Sequence, residues 1–121
     1  MEPDHKEVLL HLGRLLLEKG ETEKAKEFLE QSKAKGEDSA VLYSSLGEAY
    51  KKLELWRESA DAYRRALKFR RGNAEWRRNL GIALAKLGRI DEAEKKFREI
   101  LTISSDDAEA WQELKKLGKR Y

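Results

Sequence analysis

The chain has 121 residues with no cysteine and two histidines, which excludes a disulfide framework, a thiol nucleophile and a histidine-rich metal cluster. Its 26 Lys and Arg residues against 23 Asp and Glu leave a net charge of +3. The charged residues, 40% of the chain, therefore describe a solvated surface and not a polycation built for nucleic acid. A single proline, Pro3, and abundant Ala, Leu, Glu, Lys and Arg favour an all-helical fold.

The chain contains an internal repeat of 34 residues. It is marked by the dipeptide Leu-Gly, which begins at Leu12, Leu46 and Leu80. Tyr63 and Phe97 keep the same spacing, whereas Phe28 falls one residue out of step. We therefore predict one domain with units at residues 6–39, 40–73 and 74–107, followed by a half-unit over residues 108–121.

Each unit is predicted to form two helices. N-cap candidates precede the first helices and the half-unit, namely Asp4, Ser39, Asn73, and Asp106 or Asp107. Turns at Gly20, Glu54 and Gly88 are predicted to end the first helices, since glycine tolerates the left-handed conformation that closes a helix. A hairpin of this kind cannot bury its apolar face alone, so the units are expected to stack.

Glycine also falls inside the predicted first helices, at Gly13, Gly47 and Gly81. Each costs about 1 kcal/mol relative to alanine, so we expect a closely packed partner helix to compensate. Nothing resembling a GxGxxG or Walker sequence surrounds them, which argues against phosphate binding. The aromatic residues at helical spacing, including Tyr43 and Tyr63, are expected to form core.

The 34-residue period and its pattern of large and small residues resemble the tetratricopeptide repeat (TPR) over about residues 6–121. The matching residues are Tyr43, Leu46, Gly47, Tyr50, Tyr63, Ala66, Leu80, Gly81, Gly88, Ala93, Phe97, Trp111 and Leu114. The chain departs from the family at the unit boundary, where Glu37, Arg71 and Ser105 replace the usual proline. The resemblance implies an all-α right-handed superhelix, an α-solenoid, of three repeats and a C-terminal capping helix. It also implies a protein-binding module without a cofactor.

The helical phase places a set of first-helix side chains opposite the predicted core, on the concave face of such a solenoid. This predicted groove comprises Leu10, Arg14, Leu17, Val41, Ser45, Glu48, Arg78, Asn79 and Ile82. Its mixture of apolar and polar points suits an extended or helical peptide of a partner protein, with one or two apolar anchors. The alternative interpretation is a merely solvated face.

Some TPR co-chaperones hold the acidic C-terminal tails of heat-shock chaperones in a clamp of Lys, Asn and Arg. The matching positions here are Leu10, Arg14, Ser45, Glu75 and Asn79. Of these, Arg14 and Asn79 suit a carboxylate, whereas Glu75 repels one. We therefore do not expect this chain to bind chaperone tails.

A basic excess lies between residues 64 and 78. Its members are Arg64, Arg65, Lys68, Arg70, Arg71, Arg77 and Arg78. One interpretation is a patch for RNA or another anionic surface, with Phe69 and Trp76 as stacking partners. We favour the other, in which the cations complement the C-terminal dipole of a helix on the convex side and Trp76 packs between units.

Catalysis finds no support, since the two histidines and the scattered carboxylates match no triad or acid/base pair. No metal or cofactor is expected. The N-terminus lacks the regions of a signal peptide and no segment is apolar enough for a membrane span, so we expect a cytoplasmic protein, monomeric or weakly self-associating. A second functional hypothesis is a structural role, as a self-assembling unit or an idealised scaffold without a natural ligand.

Overall fold

A computed structural model of the chain describes residues 5–118, which form seven α-helices and no strand. The helices are α1 (His5–Glu18), α2 (Thr22–Ala34), α3 (Ala40–Lys52), α4 (Trp56–Phe69), α5 (Ala74–Lys86), α6 (Ile90–Ile103) and α7 (Ala108–Lys116). Three hairpins arise because α1 packs on α2, α3 on α4 and α5 on α6. The second helix of each hairpin also packs on the first helix that follows it, which confirms the predicted all-α solenoid.

Side-chain N-caps begin α3, α5 and α7, because the first backbone N–H groups of a helix lack a partner within it. Ser39 accepts a hydrogen bond from the N–H of Leu42 at 3.1 Å. The side chain of Asn73 accepts one from the N–H of Trp76 at 2.9 Å, and that of Asp107 one from the N–H of Ala110 at 2.9 Å. These predicted caps are confirmed, with Asp107 and not Asp106 at the start of α7, while Asp4 lies outside the described residues.

The predicted left-handed turns end α1, α3 and α5. Gly20, Glu54 and Gly88 have φ angles of 84°, 58° and 81°. At Glu54 the chain reverses with the N–H of Leu55 donating to the carbonyl of Tyr50 at 2.8 Å. Glu54 is the one non-glycine residue with a positive φ in the described part of the chain.

The three helical glycines lie where the second helix of the same hairpin comes closest. A Cβ atom added at Gly13 would lie 2.7 Å from Leu29, at Gly47 it would lie 2.8 Å from Tyr63, and at Gly81 it would lie 2.6 Å from Phe97. The packing explanation is therefore confirmed. Leu29 takes this position in the first unit, which explains why the half-buried Phe28 is one residue out of step.

Two core clusters follow the order of the hairpins. The first joins α1, α2 and α3 with Ala62 and Ala66 of α4, and the second joins α4, α5 and α6 with Leu114 of α7. Trp76 is half-buried and packs against both clusters. The predicted role of Trp76 in packing between units is therefore confirmed.

Candidate functional site

A cleft of about 370 Å³ opens across three of the first helices. Its lining residues are Lys51 of α3, Glu75, Arg78, Asn79 and Ile82 of α5, and Glu109, Gln112 and Glu113 of α7. The 34-residue repeat explains the arrangement, since these helices present the same face one unit apart. We call this feature the α5–α7 cleft.

Hydrogen bonds join one side of the α5–α7 cleft to the core. The ammonium of Lys51 donates to the side-chain oxygen of Asn79 at 2.9 Å, and the side-chain nitrogen of Asn79 donates to the hydroxyl of Tyr63 at 3.3 Å. Asn79 is only 7% exposed, so these bonds satisfy a buried amide. Burial raises the pKa of the Tyr63 phenol well above its usual value, and the charges of Glu48 and Glu75 add to the rise.

An ion pair crosses the other side of the α5–α7 cleft. The guanidinium of Arg78 lies 2.9 Å from the carboxylate of Glu109 and so links α5 to α7. Glu113 pairs with Lys116 at 3.0 Å. The cleft lining has three carboxylates against two cations, with Ile82 as its apolar member. Because Lys116 balances Glu113, the cleft is a polar surface without a net excess of charge and with one apolar point.

The structure brings together Arg78, Asn79 and Ile82 of the predicted groove, and the remaining predicted residues lie outside the α5–α7 cleft. Arg14, Val41 and Glu48 are exposed, and Leu10 and Ser45 are half-buried. Their placement is compatible with display on the first helices, and their use in binding stays a prediction.

Leu17 is the groove prediction that the structure contradicts. Its side chain is 6% exposed and belongs to the first core cluster, beside residues of α3. The equivalent position in the second unit is Lys51, which is half-buried and lines the α5–α7 cleft. A leucine at this edge of the helix is stabilised by burying its apolar surface, so it turns towards the core.

The sequence prediction missed the contribution of α7. Glu109, Gln112 and Glu113 follow Glu75, Arg78 and Asn79 by 34 residues. The half-unit was expected only to cap the stack, but it repeats the first-helix face. Extending the same helical phase by one more unit would have found these residues.

The predicted basic patch is divided among internal contacts. Arg64 pairs with Asp61 at 3.4 Å and with Glu92 at 3.6 Å, and Arg77 pairs with Glu99 at 3.6 Å. Lys68 lies in the last turn of α4, Arg70 is the C-cap residue and Arg71 follows it, so these cations lie at the C-terminal end of the helix as predicted. Three of the seven cations, Arg64, Arg77 and Arg78, therefore pair with neighbouring carboxylates.

A separate depression of about 390 Å³ lies beside the C-terminal end of α4. It is lined by Asp38, Tyr43, Arg65, Lys68 and Phe69. The guanidinium of Arg65 lies 5.5 Å from the centre of the Tyr43 ring, which stacks on Phe69 at 6.2 Å. Phe69 thus contacts an aromatic residue of its own unit.

Among residues 5–118, no group of histidine, aspartate and glutamate side chains is arranged to hold a metal ion. No helix in this part of the chain combines the length and apolar character needed to cross a membrane.

These stacked helical hairpins define the class of protein as a helical-repeat solenoid. Two family models, both described as tetratricopeptide repeat, match residues 45–108 and residues 1–49. The chain therefore belongs to the tetratricopeptide repeat family. No curated protein matches the sequence.

Similar solved structures support the fold. The chain is similar to MamA, with 25% identity, 96% of this chain and 68% of that chain covered, and a TM-score of 0.85. It is also similar to the second TPR domain of human RPAP3 in complex with an HSP70 peptide, with 24% identity, coverage of 91% and 92%, and a TM-score of 0.79. A third similar structure is YrrB, described as a TPR protein with an unusual peptide-binding site, with 26% identity, coverage of 81% and 50%, and a TM-score of 0.78.

Proposed function

We propose that this chain is a protein-interaction module and binds a peptide or helical segment of a partner protein in the α5–α7 cleft. The observation that carries the proposal is the cleft itself, which combines one apolar point with several hydrogen-bonding groups. The descriptions of YrrB and of the RPAP3 complex, both of which mention peptides, support this kind of partner. Leu10, Arg14, Val41, Ser45 and Glu48 would extend the contact along the first helices.

The charges of the α5–α7 cleft favour one kind of segment. Glu109 and Glu113 are in ion pairs with Arg78 and Lys116, whereas Glu75 is in none among residues 5–118. A segment with an apolar anchor for Ile82 and a Lys or Arg for Glu75 is complementary to this lining. An acidic chaperone tail meets like charge here, which supports the expectation that such tails are not the ligand.

Affinity capture with matched variants tests the proposal. The wild-type chain, Ile82→Ser, Arg78→Ala and the control Arg70→Ala are used as baits in lysate of the source cell, after circular dichroism shows equal helicity. Arg70 is exposed and lies outside the α5–α7 cleft. We expect wild type and the control to retain the same partner and both cleft variants to lose most of it. Retention by all four baits would refute binding in the cleft.

The two alternative functions, binding of an anionic partner and self-assembly, predict different results. Loss of capture with Arg70→Ala, together with binding that falls steeply as salt rises, would favour an anionic partner on the basic residues. A mass that increases with concentration in light scattering, without any captured partner, would favour the self-assembling scaffold. A cytoplasmic site of action is also part of our proposal and rests on the sequence alone.

A further inference from the structure

Helix α1 carries an uncovered row of apolar side chains. Val8, Leu12 and Leu15 are 39%, 40% and 41% exposed. They lie on one face of the helix, since residues separated by three or four positions are neighbours on a helix surface. A depression of about 280 Å³ lined by Glu7, Val8, His11 and Leu12 lies at the start of this row. We call Val8, Leu12 and Leu15 the α1 stripe.

The repeat shows what normally covers these positions. The residues 34 positions later, Leu42, Leu46 and Ala49 of α3, are 0%, 2% and 0% exposed. One unit further, Leu80 and Ala83 are buried and Trp76 packs against both core clusters. In the half-unit, Ala110 and Leu114 are 0% exposed. The stripe is therefore the first-unit copy of a surface whose members are buried or, at Trp76 and Leu117, half-buried in the later units.

In each later unit, these positions are covered by the second helix of the preceding hairpin. Helix α2 packs on α3, α4 on α5 and α6 on α7. The second core cluster shows the chemistry of the covering face, with Tyr63 and Leu67 four positions apart on α4, and Phe97 and Leu101 four positions apart on α6. Helix α2 differs, since it covers α3 with Ala25 and Leu29 and has Lys33 four positions after Leu29. A helix that covers the α1 stripe as α4 and α6 cover their neighbours has two large apolar residues at this spacing.

We propose that the α1 stripe is a second docking surface, which takes an amphipathic helix of a partner protein with two large apolar residues four positions apart. This surface is separate from the α5–α7 cleft and continues the interface that already joins the hairpins. The depression beside Val8 accommodates one of the two large side chains.

A second copy of the chain fits the α1 stripe less well. The covering faces of α4 and α6 are already buried in their own core clusters, so a folded copy presents no second helix with such a face free.

A helix taken from this chain provides the probe. A synthetic peptide with the sequence of residues 56–69, stapled through positions 61 and 65 to hold it helical, is titrated into the isotope-labelled full chain and followed by NMR. Positions 61 and 65 are exposed on α4 and do not belong to its covering face. We expect amide shifts concentrated at residues 8–16 of α1 and not in the α5–α7 cleft.

Three variants, each of which gains one positive charge, complete the test. Leu12→Lys and, independently, Val8→Lys should weaken the binding of the peptide at least about tenfold, because each places a charge in the apolar contact. The control Ile103→Lys changes an apolar residue that is 75% exposed and distant from the stripe, and should bind as wild type does.

Three results would overturn the proposal: no shifts at millimolar peptide, shifts confined to the cleft, or unchanged affinity in both stripe variants. A concentration-dependent dimer in light scattering that Leu12→Lys abolishes would assign the stripe to a second copy instead. None of these results depends on whether the α5–α7 cleft binds a partner.

Discussion

Replacing Gly81 by alanine tests whether close packing of the hairpins explains the helical glycines. The new methyl carbon would lie 2.6 Å and 2.8 Å from two ring atoms of Phe97. Favourable carbon contacts lie near 3.5–4.0 Å, so the ring has to move by about 1 Å. Phe97 is 1% exposed in a filled core, and overpacking of this kind costs roughly 3 kcal/mol at its upper end. Alanine returns about 1 kcal/mol of helix propensity, which leaves a net loss of roughly 2 kcal/mol.

Urea and thermal unfolding, followed by circular dichroism at 222 nm, measure this loss. The expected fall in melting temperature is roughly 6–12 °C for a domain of this size. The matched control is Gly72→Ala, because an added Cβ at Gly72 meets no atom within 4 Å and the backbone there does not need glycine. The control should be neutral or stabilising by up to about 1 kcal/mol. If Gly81→Ala is as stable as wild type, the packing explanation is refuted.

Two further predictions concern the turn at Glu54 and the phenol of Tyr63. Glu54→Gly should stabilise the protein by about 0.5–1 kcal/mol, because a non-glycine residue at a φ of 58° is strained, and an unchanged urea midpoint would contradict this. Burial raises the pKa of Tyr63 above its ordinary value near 10, so the folded state keeps a proton that the unfolded state releases in alkali. The free energy of unfolding should therefore be unaffected by this group below about pH 9 and fall above pH 10 by up to about 1.4 kcal/mol per pH unit. Tyr63→Phe should make the free energy of unfolding fall less steeply with pH between pH 9 and 11. Part of the fall should persist, because the pKa of Tyr50 is also raised. If the free energy of unfolding falls equally steeply in Tyr63→Phe and wild type, the explanation is excluded.

The sequence was sufficient to predict the features that depend on local chemistry and on the repeat. Ser39, Asn73 and Asp107 cap their helices because short polar side chains satisfy the free N–H groups at a helix start. Glycines 13, 47 and 81 keep their spacing because each hairpin has one point of closest approach. These features involve neighbours along the chain or one repeated contact, so a single sequence contains them.

The sequence was less informative where the same helical position can lie either in the core or at the surface. Leu17 and Lys51 have the same phase, but the apolar side chain turns into the core and the charged one lines the α5–α7 cleft. In the basic segment, the carboxylate partners of Arg64 and Arg77 include Glu92 and Glu99 of another helix. Pairings of this kind depend on tertiary geometry, which counting charges along the chain does not reveal.

The contacts within the α5–α7 cleft separate residues that are free to recognise a ligand from residues that hold the cleft in shape. The Arg78–Glu109 pair joins a guanidinium whose side chain is 18% exposed to a carboxylate whose side chain is 67% exposed, so a ligand can take the place of Glu109 if it offers Arg78 another hydrogen-bond acceptor. Asn79 differs, because it is buried and bonded to both Lys51 and the core hydroxyl of Tyr63. Removing its amide leaves polar groups unsatisfied at a cost of about 1–3 kcal/mol. A loss of binding in an Asn79 variant would thus report a distorted cleft, whereas a loss in an Arg78 variant of unchanged stability reports a lost contact with the ligand. An Ile82 variant needs the same stability control, because Ile82 also packs against the second core cluster.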